Sequence, residues 1–245
     1  MQKIKLFCLP YAGGSVTVYY KWREYLNDYV EFIPIEYRGR GQRMKEPFYT
    51  SINEGVDDVF SIIKDQIQDG NYMFFGHSMA TLFLYELGHK IKDELLPPPI
   101  HMFLSGRTPP HFHKNYESTD EMSDKEFLLK LKNYGGTSKE FFESKELLQI
   151  FLPILRSDYK IVEDYDYEPK SELLNTNVSF FFSKEDSHVS MDKVNIWQDY
   201  IIGSLKVYDF EGGHFFIHDD TEKIVRIIND EAVNIILEKS SVIRI

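Results

Sequence analysis

Ser78 stands in Gly76-His77-Ser78-Met79-Ala80, between the apolar run Asn71–Phe75 and a segment with helical periodicity. A serine on a tight strand-to-helix turn projects from the C-terminal edge of a sheet, with the N–H groups of the helix behind it. That context turns a short G-x-S-x-[GA] match into a nucleophile elbow. A serine hydroxyl attacks poorly at neutral pH unless a base takes its proton, and the base needs a carboxylate to orient it. In this architecture carboxylate and histidine follow the serine in that chain order. Val178–Phe182 is an apolar run ending in Ser183-Lys184-Glu185-Asp186, and Leu205–Phe210 ends in Glu211-Gly212-Gly213-His214. Asp186 is expected as the orienter, with Glu185 as its near rival, and His214 as the base. His77, His89, His101, His111, His113, His188 and His218 are expected to serve packing and loops. No third ligand at helical spacing joins His214 and His218, so no metal site is expected.

Six runs read as strands: Ile4–Leu9, Val30–Glu36, Tyr72–Phe75, His101–Ser105, Val178–Phe182 and Leu205–Phe210. Helical patterns separate most of them, at Val18–Leu26, Ile52–Ile67, Met79–Leu95, Asp192–Ile202 and Glu222–Glu238. Met79, Phe83, Leu87 and Ile91 recur at intervals of four, which gives the helix after Ser78 one apolar face. Strand and helix in alternation predict an α/β fold with a doubly wound, mostly parallel sheet. Pro109–Tyr167 breaks that rhythm. Ser123-Asp124-Lys125-Glu126 has the form of a capping box, and Phe141, Phe142 and Phe151 contribute to a second apolar surface. We therefore expect residues 1–108 and 168–245 to form the core, and 109–167 an inserted helical lid whose Phe141, Phe142 and Phe151 line an acyl channel.

With 245 residues and 42% hydrophobic content the chain is long enough to bury a substantial core. The opening run is too short for a signal peptide, no stretch approaches a membrane span, and a single cysteine rules out an internal disulfide. A cytoplasmic, monomeric protein is expected. The net charge of −11 argues against nucleic acid as a partner.

Leu9–Ser15, Glu36–Arg43, Gly76–Met79, Ser105–Pro110, Leu152–Asp158 and Gly212–Phe216, taken in order, resemble the type II thioesterases of nonribosomal peptide and polyketide biosynthesis. The resemblance runs through nearly the whole chain. It implies an α/β-hydrolase fold, a Ser/Asp/His triad, a mobile lid, and hydrolysis of acyl groups from the phosphopantetheine arm of acyl- or peptidyl-carrier proteins. Its usual role is editing, in which stalled or mis-primed units are cleared. No cofactor is implied beyond the phosphopantetheine that the substrate carries. Three positions depart from the family pattern: Ala80 where glycine is common, Tyr37-Arg38 where Leu-Pro is usual, and Ser183 where a glycine often opens the turn.

An oxyanion hole needs two preorganised N–H donors, expected from the backbone of Met79 and, in the turn after the first strand, of Ala12. The same triad would serve a general carboxylesterase or an acyltransferase, and a carrier-binding protein with a decayed site is a further alternative. For an acidic chain meeting an acidic carrier protein, docking requires a local basic surface. Arg38 and Lys45 are expected to be the freer pair there, with Arg40 and Arg43 bracing their glycine-rich turn.

Overall fold

The computed structural model describes residues 3–115, 118–135 and 139–242. Six parallel strands, β1 (Ile4–Leu9), β2 (Val30–Pro34), β3 (Tyr72–His77), β4 (His101–Ser105), β5 (Asn177–Ser183) and β6 (Leu205–Phe210), form one sheet in the order β2-β1-β3-β4-β5-β6. β3 is buried along its whole length. Its side chains alternate between two apolar layers, Phe74 in one and Met73 and Phe75 in the other, as a strand covered on both faces requires. Helices α1 (Ile52–Ile63) and α2 (Met79–Asp93) pack on the first face through Val59, Phe83 and Leu87. On the second, Ile224, Val225 and Ile228 of the C-terminal helix join Tyr19 and Trp22 of a 3-10 stretch, Val16–Glu24.

The chain leaves β1 for β2 on one side and returns to place β3 on the other. This reversal opens a crevice at the carboxyl ends of β1 and β3, where ligands of open α/β sheets bind. The loops after those two strands carry Ala12 and Ser78.

Between β4 and β5 come a 3-10 turn at Pro110–Asn115 and three helices, α3 (Asp124–Tyr134), α4 (Lys139–Glu143) and α5 (Lys145–Glu163). The capping box at Ser123 is formed in both directions. α6 (Met191–Asn195) and α7 (Thr221–Val242) complete the helices described.

The six expected strands are all present, and the differences lie at element ends and in the short helices. β2 stops at Pro34 rather than Glu36, and α1 at Ile63 rather than Ile67. The helix expected at Val18–Leu26 is a 3-10 stretch two residues earlier, where Ser15 caps the Thr17 N–H and β-branched and aromatic residues disfavour a regular α-helix. The one expected at Asp192–Ile202 divides into α6 and a 3-10 turn, Ile196–Tyr200, where buried Trp197 donates its indole N–H to the Arg107 carbonyl.

Candidate active site

Ser78 sits at φ 55°, ψ −115°, a left-handed backbone conformation that a residue with a Cβ rarely adopts. Hydrogen bonds hold it there: the Ser78 N–H donates to the Ser105 carbonyl at 2.8 Å, and the Ser78 carbonyl accepts the Thr81 N–H at 3.0 Å. The Thr81 hydroxyl reaches the carbonyls of Gly76 and Ser105, tying the end of β3 to β4. Gly76 is required by space. A Cβ there would lie 2.8 Å from Leu84 and 3.0 Å from the Ala80 methyl. Ala80 is fully buried and occupies the space that Gly76 leaves open, which explains how the elbow accommodates a methyl group in place of glycine.

His214 Nε2 lies 3.0 Å from Ser78 Oγ, and His214 Nδ1 lies 2.7 Å from Asp186 Oδ2. Asp186 and His214 are buried, at 3% and 7% exposed. The other oxygen of Asp186 accepts the His188 N–H at 3.0 Å, so the carboxylate is held on both sides. Glu185 is exposed and its N–H donates to Ser183 Oγ, whereas the hydrogen bond to His214 comes from Asp186. The departure at Ser183 has a local use: its hydroxyl donates to the Gly212 carbonyl, joining the loop of Asp186 to the loop of His214. Gly212, at φ 84°, makes the turn that aims His214, while a Cβ on Gly213 would touch nothing.

His77 is fully buried against the His214 ring, with its Nδ1 2.8 Å from Ser105 Oγ. Burial, reinforced by the neighbouring His214, pushes its pKa well below the usual imidazole value, so it stays neutral and does not compete as a base. His218 has its Nε2 2.9 Å from the Tyr11 hydroxyl, and His101 Nε2 lies 2.9 Å from Ser179 Oγ. His113 has no described side chain. Among the described residues no group of His, Cys, Asp or Glu is arranged to hold a metal ion, and no helix is long and apolar enough to cross a membrane.

Ser78, Met79, Ala12 and His214 line a cleft of about 690 Å³ that opens to solvent. Met79 begins α2, so its N–H is one of those a helix leaves without an internal partner. The far wall comes from the helices between β4 and β5: Tyr134 belongs to α3 and Val162 to α5. The Tyr134 ring stacks on His188 at 4.1 Å, and both rings stand edge-on to His214 at 5.9 Å. An adjoining groove of about 620 Å³ runs from Ala12 and Gly13 past Leu131, Phe141, Phe151 and Leu155. Phe142 is outside that lining and packs edge-on against Phe141.

Arg38 is tied down, contrary to expectation. Its guanidinium reaches Glu54 at 3.1 Å, Asp58 at 3.0 Å and Glu46 at 3.6 Å. α1 presents Asp58 beneath the loop, a juxtaposition that the loop's own sequence does not reveal. Arg43 binds Asp58 and Glu46, Arg40 binds Asp158, and Lys45 is exposed. Tyr134 and Tyr159, which line the cleft and meet edge to face at 6.3 Å, escaped the sequence reading because aromatic contacts at a site leave no spacing signature, and His188, expected to be a loop residue, supplies the ring on which Tyr134 stacks. Leu155 and Asp158 lay within the matched run Leu152–Asp158 without a role.

Parallel strands in this order, flanking helices and a serine elbow at the switch point define an α/β-hydrolase. The chain belongs to the thioesterase family, whose domain model matches residues 4–232, and it is a thioester hydrolase. It is 34% identical over 227 residues to the human S-acyl fatty acid synthase thioesterase, medium chain, covering 91% of this chain and 84% of that protein. Thioesterase PikA5 of Streptomyces venezuelae is 30% identical over 227 residues, covering 93% and 80%. Among solved structures, ClbQ from the colibactin NRPS/PKS pathway superposes with a TM-score of 0.87 at 31% identity, over 96% of this chain and 100% of that one. These similarities group the chain with the type II thioesterases of nonribosomal peptide and polyketide biosynthesis.

Proposed function

We propose that the protein is an editing hydrolase that removes acyl or aminoacyl groups from the phosphopantetheine arm of carrier proteins, with Ser78, His214 and Asp186 as its triad. The observation that carries this reading is the His214 imidazole, hydrogen-bonded to Ser78 on one nitrogen and to Asp186 on the other at the wall of an open cleft. His214 Nε2 takes the proton of Ser78 as Oγ attacks the thioester carbonyl, and Asp186 holds the tautomer and stabilises the imidazolium. The N–H groups of Ala12 and Met79 receive the oxyanion. His214 then returns the proton to the departing sulfur, which leaves readily because a thiol of pKa about 8.5 is a better leaving group than an alkoxide. Water, deprotonated by His214, cleaves the acyl-enzyme.

Carrier-bound substrates are favoured by the similarity to PikA5 and ClbQ, while the similarity to the human enzyme favours fatty acyl chains as a second reading. Turnover on acyl-carrier protein, acyl-CoA and p-nitrophenyl esters separates these from a general carboxylesterase. Highest kcat/KM on acyl-carrier protein is expected. Equal kcat/KM on the simple esters would sink the carrier assignment, and acyl transfer to added amines in place of hydrolysis would make the enzyme an acyltransferase.

The insertion is assigned the role of lid. Trimming Phe141 or Phe151 to alanine is expected to lower kcat/KM for octanoyl substrates by about 10-fold, on the order of the 1–3 kcal/mol that apolar pocket contacts discriminate. Acetyl substrates should be nearly unaffected. Phe142 should have less effect, since it lies outside the groove lining. Equal losses on acetyl and octanoyl substrates would make these side chains structural only.

Docking of the carrier is assigned to the loop that bears Arg38 and Lys45. Because three carboxylates already neutralise Arg38, reversing its charge would break an ion network, and Lys45 gives the cleaner test. Lys45→Glu is expected to raise KM for acyl-carrier protein and leave KM for acyl-pantetheine unchanged, with the wild-type carrier KM rising with salt. Should both substrates respond alike, docking lies elsewhere.

A further inference from the structure

We infer that Asp158 is a positioning residue for the oxyanion donor at Ala12, acting through the backbone of the turn after β1. The inference rests on the serine-nucleophile reading above. Asp158 lies on α5 and is 1% exposed. Its Oδ2 accepts the Gly13 N–H at 2.7 Å, and its two oxygens are gripped by Arg40 Nη1 and Nη2, each at 2.7 Å. Arg40 Nη1 also donates to the Gly14 carbonyl at 3.1 Å.

The Ala12 N–H belongs to the Tyr11–Ala12 peptide unit, whose carbonyl accepts the Gly14 N–H at 2.9 Å. A trans peptide is planar, so its N–H points opposite to that carbonyl. The next unit, Ala12–Gly13, is held through its own N–H by Asp158. Each peptide plane flanking the Ala12 Cα is thus pinned by one hydrogen bond, and the second pin comes from a residue 145 positions away. Leu155, one helical turn before Asp158, leaves no room for a side chain at Gly13: a Cβ there would lie 2.3 Å from Leu155 Cδ2. α5 therefore rests directly on the backbone that aims the donor.

Tying α5 to the core needs only the Arg40–Asp158 pair, and stability alone does not require even that. Buried ion pairs are often replaced by apolar residues of similar volume without loss of stability. The bond to Gly13 adds something a tie does not supply: it fixes the Ala12–Gly13 plane and so, together with the Gly14 bond to the Tyr11 carbonyl, the turn that presents the Ala12 N–H. It also makes the roof and the oxyanion hole assemble together, since shifting α5 would withdraw the acceptor from Gly13.

The test is the double variant Arg40→Met/Asp158→Leu, which removes both buried charges at once. The variant is expected to fold with a Tm lowered by only a few degrees, since the Gly13 N–H and the Gly14 carbonyl lose their partners, while kcat on butyryl-N-acetylcysteamine falls about 10- to 100-fold. That is below the ~10²–10³-fold cost of deleting an oxyanion donor, because here the donor is misaimed rather than absent. KM should change little, and a butyl trifluoromethyl ketone, which forms a tetrahedral adduct on serine, should lose affinity by the same factor as kcat/KM. Wild-type kcat in the folded variant, or a change confined to KM, would overturn the inference. If the double variant does not fold, Asp158→Glu decides by the same criteria: it keeps a charge for Arg40 but cannot hold both Arg40 and the Gly13 N–H in place. Failure of the serine reading is separately visible, as hydrolysis that survives Ser78→Ala.

Discussion

Replacing Ser78 with alanine is expected to lower kcat for thioester hydrolysis by about 10⁴- to 10⁶-fold, and His214→Ala by the same order, with no further loss when both are changed. In the proposed triad the two act as one unit: without the imidazole 3.0 Å from its oxygen the hydroxyl stays protonated, and without the hydroxyl there is nothing for the imidazole to activate. Neither change should unfold the protein. Ser78 contributes strain, since a side chain at φ 55° is unfavourable by about 1–3 kcal/mol. Alanine keeps that strain and glycine relieves it. After allowing for glycine's greater freedom in the unfolded chain, Ser78→Gly is expected to be about 1 kcal/mol more stable than Ser78→Ala, and equally inactive. Steady-state hydrolysis and thermal unfolding of the three proteins check both statements. Near-wild-type turnover in Ser78→Ala would discard the elbow, and a glycine variant less stable than the alanine one would discard the strain.

The second large effect is expected at Asp186. Asp186→Asn preserves shape and can donate its amide N–H to the imidazole, which then presents the wrong tautomer to Ser78. A fall in kcat of about 10⁴-fold follows from losing the orienting carboxylate of a triad. Glu185→Gln should leave kcat nearly unchanged, because its side chain is exposed and the carboxylate on His214 Nδ1 belongs to Asp186. The reverse ranking, measured by kcat on one small thioester, would transfer the role to Glu185. Ser183 belongs to the same arrangement through its bond to the Gly212 carbonyl.

The sheet was legible in the sequence because its four inner strands are covered on both faces. An apolar run such as Tyr72–Phe75 then has one reading, whatever the neighbours turn out to be. Short helices were less legible. Val16–Glu24 and Ile196–Tyr200 wind as 3-10 turns because packing of Tyr19, Trp22 and Trp197 outweighs a weak helical preference. Arg38 was misjudged for a related reason. A cluster of arginines states its charge but not its partners, and Asp58 and Glu54 come from α1, across the fold from the loop's own sequence.

By itself the sequence determined the alternation of strand and helix, the serine on a strand-to-helix turn, the order serine, carboxylate, histidine, and the family resemblance. All of these are local patterns or an order along the chain, written by periodicity, turn chemistry and residue type. Only the tertiary structure decided which of two adjacent carboxylates meets His214, which arginines are neutralised, and that α5 grips the Gly13 N–H. Each is a contact between distant residues: 28 positions separate Asp186 from His214, 118 separate Arg40 from Asp158, and 145 separate Gly13 from Asp158. Directional bonds of 2.7 Å between such partners depend on how helices and loops settle on the sheet, and hydrophobic patterning specifies that a face is buried without specifying which polar atoms meet above it.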